Sequence, residues 1–265
     1  MIIKLKKVSF KNLIKAEYQK IMFLKFSKTF LGILMLTSLA MGLIFSITTN
    51  VTQGKSIAEM APNDIISASM LGIDVAAIML IIFTAISISN EFSTKLIHVS
   101  LAVTPNRKRF YFSKFLTYCL LAGVISLLVT FATFFAGQLV LVANGIPMAS
   151  LKDNSLVQLI IGSAVMPVFY CLLTVAATFI FRSSEGGIIF SLVIMFIPAL
   201  IKMFSKDIQR LILPILPQSS LHSLSGIVSE NSYELLGNGA SIFLLLLWIG
   251  ITSAIGIFQL VRKDV

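Results

Sequence analysis

A chain of 265 residues that is 57% hydrophobic and 12% charged, with a mean hydropathy of +0.97, carries more apolar surface than one soluble core of that size can hide, so lipid is its expected solvent. The formal net charge of +10 raises nucleic acid as a partner, but the basic segments hold no reading motif and their positions are those of membrane flanks, which argues against that partner. Cys119 and Cys171 both fall inside apolar runs and are expected to be buried small side chains outside any disulfide framework.

A membrane helix needs about 20 apolar residues, at about 1.5 Å each, to cross about 30 Å of hydrocarbon. Six stretches qualify: about 30–49, 65–89, 115–143, 156–181, 187–204 and 240–261. The predicted fold is therefore all-α, a polytopic membrane protein with six transmembrane helices. In that plan sixteen Lys and Arg fall on one side, and only Lys55, Lys152, Lys202, Lys206 and Arg210 on the other. By the positive-inside rule both termini are predicted to be cytoplasmic, as an even number of spans requires.

Residues 1–29 place Lys4, Lys7, Lys11 and Lys15 at helical three- and four-residue steps, with Phe10, Leu13, Ile21 and Leu24 elsewhere on the wheel. This pattern predicts an amphipathic helix lying along the inner leaflet. Its basic region is too long for a signal peptide and no clear cleavage site follows, so it is expected to be retained. The first span carries Ser38, Gly42 and Ser46 at four-residue steps, a small-residue ridge that lets another helix approach, whether from this chain or a second subunit.

Between the first two spans, Gly54-Lys55-Ser56 resembles the end of a phosphate-binding loop, but Thr49 stands where that loop needs glycine. Asn50-Val51-Thr52 is a glycosylation sequon by spacing alone. The second span contains Asp74, the only acidic residue within the six apolar runs. An intramembrane carboxylate costs a few kcal/mol, so Asp74 either faces a polar path or substrate, or marks a span that starts later and leaves it near the outer headgroups.

The stretch 90–114 is the long charged segment between two spans. It enters through Glu91 and Lys95, passes Leu96, Ile97, Val99 and Leu101, turns at Thr104-Pro105-Asn106 and leaves through Arg107, Lys108, Arg109 and Lys114. Short loops then join spans three to five, with Pro167 and Pro198 inside spans four and five. The outer segment 205–239 includes the apolar run 211–217, too short to span and too apolar for an exposed loop, and is predicted to be re-entrant or interfacial. Residues 262–265 are predicted to form a short cytoplasmic tail.

The two histidines, His98 and His222, are predicted on opposite sides of the membrane, and no HExxH, adjacent glutamates or complete phosphate-binding loop is present. No catalytic residue, metal or cofactor is expected, and the energy for any transport has to come from elsewhere.

Glu91, Pro105, Arg107 or Arg109, and Lys114 together resemble the first intracellular loop of ABC-2-type transporter permeases, usually of the form E-x-x-x-G-T…P-x-x-R…K. The chain departs at the Gly-Thr step, where Ser93-Thr94-Lys95 stands. The overall plan of N-terminal helix, six spans and an apolar outer segment before the last span is similar too. The resemblance implies the membrane subunit of a bacterial ABC exporter in the cell membrane. Two identical or related permease chains would pair and bind two separate ATPase subunits, and small permeases of this length are often linked to bacteriocin or lantibiotic self-protection. Residues 90–114 would form a coupling helix, with Glu91, Lys95, Pro105, Arg107, Arg109 and Lys114 as docking or orienting groups. The exported class would be a peptide, lipid or drug-like molecule. Three other readings remain open at this stage: an ATPase-independent immunity or assembly protein, an ion-coupled carrier or channel centred on Asp74, and, weakest, an intramembrane enzyme. For Arg107, Arg109 and Lys114 a purely structural role as anchors to anionic headgroups also remains open.

Overall fold

The computed structural model describes residues 9–53, 57, 60–104, 106–227 and 232–262, and among them every regular element is helical. In chain order these are α1 (Phe10–Phe23), α2 (Lys25–Gln53), α3 (Pro62–Met70), α4 (Gly72–Ser93), α5 (Leu96–Val103), α6 (Arg107–Ala143), α7 (Asn154–Phe181), α8 (Ser184–Ile201), α9 (Lys206–Ile212), a 3-10 turn at Leu213–Ile215, α10 (Pro217–Ser225) and α11 (Asn238–Arg262). Among the described residues six segments are long and apolar enough to cross a membrane: Lys25–Thr49, Pro62–Ser93, Arg107–Ala143, Asn154–Phe181, Ser184–Ile201 and Asn238–Arg262. The chain has the composition and helices of a multi-pass membrane protein.

The central post is α7. Its most apolar stretch is 72% buried, against 22% for the corresponding stretches of α2, α8 and α11. Helices α4, α6, α8, α10 and α11 pack directly on it. Exposed apolar side chains such as Leu36, Leu128, Ile189 and Phe243 cover the outer faces of the others, the distribution expected where hydrocarbon is the solvent.

Proline and glycine punctuate the bundle where helix geometry requires it. Pro62 opens α3 at a position whose missing N–H has no helical partner to lose. Arg182 adopts a left-handed conformation (φ 56°) that ends α7, and Ser183 then caps α8 by accepting the Gly186 N–H at 3.0 Å. This makes the two-residue reversal between α7 and α8. Inside α7 Pro167 lacks a donor, and in the preceding turn the Ala164 carbonyl accepts the Ser126 hydroxyl of α6 at 2.5 Å.

Ser38 and Gly42 of the ridge Ser38, Gly42 and Ser46 face the junction of α3 and α4, with Thr133 of α6 alongside, so the neighbour admitted there is a helix of the same chain. Ser38 and Ser46 are fully buried. A Cβ on Gly42 would lie 2.7 Å from the Ser69 carbonyl, and one on Gly72 would overlap the Ser38 carbonyl, so two backbones are in direct contact.

Two expectations about segment limits change. The stretch predicted as one connecting segment, 90–114, is mostly helical: α4 continues to Ser93, α5 fills the middle, and α6 starts at Arg107, about two turns before the apolar run. Lys114 therefore lies inside a helix rather than at a span's start. The outer segment 205–239 is also largely helical, and its α10 is buried although its sequence is PQSSLHSLS. Helix α10 can approach so closely because Gly162 of α7 presents no side chain to the Ser225 backbone.

Candidate functional site

Helices alternate in direction, so the first residues of α2, α6 and α8 and the last of α4, α7 and α11 gather at one end, with α1 and α5. This is here called the basal end, and it brings together most of the residues singled out in the sequence. Helix α4 stops when the Thr94 N–H bonds the Asn90 carbonyl at 3.0 Å and Lys95 turns left-handed at φ 57°. For a side chain other than glycine that conformation costs about 1–2 kcal/mol. It redirects the chain into the eight-residue α5. Ile97 anchors this helix in the core at 1% exposure, whereas Leu96 and Val99 stand 54% and 62% exposed. An apolar pair thus stands exposed at the basal end, where Lys95 and Lys108 are exposed too.

Beneath α5 lies a four-member ion-pair cluster. Lys114, only 2% exposed on α6, donates to Glu17 of α1 at 2.7 Å and to Glu91 of α4 at 2.6 Å. Lys20 donates to Glu17 at 2.7 Å and to the Ser100 hydroxyl of α5 at 3.1 Å, and lies 3.7 Å from Glu91. Two cations face two anions, so the cluster, buried except at the exposed Lys20 side chain, is neutral overall and ties four helices together. Lys114 does not reach headgroups: a lysine two turns inside α6 is solvated by carboxylates because lipid and water are both excluded from it.

Burial pushes the Glu17 carboxyl up, but the Lys114 and Lys20 ammoniums outweigh it and hold it below the ordinary value of 4.5. A carboxyl depressed in the folded state contributes stability that is complete above its ordinary value and is lost as pH falls through the lower folded value. Thermal unfolding in detergent should therefore show no loss from this cluster between pH 7 and 4.5, and a fall below 4.5 that is reduced in Glu17→Gln. An equal fall in the variant would assign the acid sensitivity elsewhere.

The arginines have other partners. Arg107 donates to the Leu260 carbonyl at 2.7 Å and the Val261 carbonyl at 3.3 Å, and Arg182 donates to the Gln259 carbonyl at 3.1 Å. Two guanidiniums thus satisfy the carbonyls left open at the end of α11, where the helix dipole also favours positive charge. Asn106 caps α6 by accepting the Arg109 N–H at 3.0 Å, and the Arg109 guanidinium lies 5.9 Å from the Phe10 ring. Pro105 lies outside the described residues, as do Gly54-Lys55-Ser56 and the last three residues of the chain.

Asp74 sits apart, in the first turn of α4 toward the opposite end. The helical segment starts well before it, at Pro62, and Asp74 is half-buried, lining a cavity of about 80 Å³ with His222, Ser67, Ser163 and Ser225. Around His222 a polar chain continues: Tyr170 donates to Gln218 at 2.6 Å, Gln218 pairs with His222 at 2.9 Å, and Glu234 lies 3.6 Å from His222 and 2.9 Å from Lys202. Burial raises the Glu234 carboxyl, but His222 and Lys202 together hold it below its ordinary range. No group of three or more metal-ligating side chains occurs among the described residues.

Sequence reasoning missed Glu17, which completes the basal cluster. Its signal was its isolation: it is the only acidic residue before Glu59, set among eight lysines. The capping role of Arg182 and the buried polar α10 carried no comparable signal. No protein-family model matches the chain, and the search of curated proteins finds no match.

Proposed function

We propose that the chain is the permease subunit of an ABC-2-type ATP-binding-cassette exporter in a bacterial cell membrane, pairing with a second permease chain and driven by a separate ATPase subunit. The observation that carries this reading is α5: a short helix at the basal end whose Leu96 and Val99 stand exposed while Ile97 and the Lys20–Ser100 bond fasten it to the bundle. Such a helix can receive a push from a docked protein and pass it through Glu17, Glu91 and Lys114 to α1, α4 and α6. The sequence pattern supports the same reading. The left-handed Lys95 stands four residues after Glu91, where the permease pattern has glycine, the residue that such a backbone favours.

In this reading the basal end is cytoplasmic, as its Lys and Arg excess favours. Helix α1 then lies in the inner interface, with Lys11 and Lys15 exposed and Ile21 and Glu17 turned inward. ATP hydrolysis belongs to the partner, and the roles of Arg107 and Arg109 are to hold α11 and α6 behind the docking helix.

The test is co-purification of the tagged chain in mild detergent, native and with Leu96→Asp/Val99→Asp. The expected result is a Walker-motif ATPase retained by the native chain and reduced at least about tenfold by the double substitution, since central apolar anchors of an interface carry about 2 kcal/mol or more. If no ATPase accompanies the native chain under conditions that preserve known permease complexes, the exporter reading fails. Transport without an ATPase, lost in Asp74→Asn, would instead establish the carrier reading, which the Asp74–His222 cavity favours.

A further inference from the structure

A groove of about 660 Å³ runs along the outside of the basal end, floored by α6 and closed at its mouth by α1. Lys11 and Lys15 stand at the mouth, both exposed, and no carboxylate pairs with either among the described residues. The rest of the lining is mostly apolar, with Leu31 of α2 and Leu120, Val124 and Ile125 of α6 beside the polar Asn12, Tyr18 and Thr117. From Thr117 to Ile125 the groove follows α6 for about 12 Å toward mid-bundle.

We infer that this groove is a binding site for one anionic phospholipid, its phosphate held by Lys11 and Lys15 and the first part of an acyl chain laid along Leu120, Val124 and Ile125. The two regions select the occupant together. A soluble anion gains nothing from a wall of leucine, valine and isoleucine. A zwitterionic lipid brings its own cation against two ammoniums that have no counter-ion among the described residues. A basic pocket between membrane helices at the level of the headgroups, opening onto a hydrocarbon slot, fits a lipid carrying net negative charge. The lysines of the basal cluster are not available for this, because Lys20 and Lys114 are already paired with Glu17 and Glu91.

The test is native mass spectrometry of the full chain after exchange into equal mixtures of dioleoylphosphatidylglycerol and dioleoylphosphatidylcholine. Retention of phosphatidylglycerol is expected to exceed that of phosphatidylcholine about thirty-fold, the product of two lysine contacts near a headgroup. Lys11→Gln/Lys15→Gln should bring the ratio close to one, and Lys206→Gln/Arg210→Gln, at α9, should leave it unchanged. Val124→Trp, which keeps both charges but fills the slot, should lower phosphatidylglycerol retention. Equal retention of the two lipids, a preference that survives Lys11→Gln/Lys15→Gln, or an equal loss in Lys206→Gln/Arg210→Gln would overturn the inference. So would full retention in Val124→Trp, or displacement of the lipid by inorganic phosphate, which would make this a phosphate site only.

Discussion

Lys114→Met is expected to destabilise the protein by about 3–5 kcal/mol, because it leaves the Glu17 and Glu91 carboxylates facing each other with their shared buried cation gone. Methionine fills much of the same volume, so the loss reports charge rather than a cavity. Removing one partner of a buried pair is costly because it strands a buried charge, whereas exchanging the three buried members together for uncharged side chains of similar size strands none. Glu17→Gln/Glu91→Gln/Lys114→Met should therefore recover most of the stability lost in Lys114→Met. Midpoints of thermal unfolding in detergent, followed by the retained folded peak, measure both. If Lys114→Met costs less than about 1 kcal/mol, the cluster behaves as an exposed pair and does not hold the basal end together.

The triple variant also separates two roles. A group that only stabilises the bundle can be exchanged for neutral residues with transport intact. If α5 passes motion to α1, α4 and α6 through these charges, a folded triple variant that still binds its ATPase should hydrolyse ATP without matching transport.

The six long helices were legible because hydrocarbon imposes one requirement on all of them, a run of apolar residues of fixed minimum length. Their limits were less so. Helices α2, α4 and α6 run past their apolar stretches into charged residues, since interfacial Lys and Arg extend a helix without entering lipid, and hydropathy is blind to that. Charge suggests water, so the sequence pattern puts Lys114 at the margin of a span. Its actual solvent is a pair of carboxylates from two other helices, and Glu17 comes from a segment whose lysines dominate its pattern. Pairing across nearly a hundred residues has no local signature. The same holds for the ridge of Ser38, Gly42 and Ser46: spacing shows that a helix approaches closely, but only the fold shows that it is the α3–α4 junction.

That junction yields the second large effect, visible as two glycine substitutions of opposite sign. Gly72→Val is expected to cost about 3 kcal/mol or more, at or above the upper end of the range for overpacked cores. Two of the three groups a side chain would meet are backbone: the Ser38 carbonyl oxygen overlaps the new Cβ, and the Gly42 Cα lies 3.1 Å from it, with the Thr133 methyl at 3.0 Å as the third. No rotamer change relieves either contact, so α2 would have to move off α4 as a whole and give up the burial of Ser38 and Leu34. Gly123 of α6 lies in open space, with nothing within 4 Å of where a Cβ would stand. Gly123→Ala should therefore stabilise the helix by about 0.5–1 kcal/mol through the reduced freedom of the unfolded backbone. Measured together by thermal unfolding in one detergent, the pair should split to either side of the native midpoint. A Gly72→Val protein as stable as native would mean that α2 is not seated on the α3–α4 junction, and with it would go the intrachain assignment of the small-residue ridge.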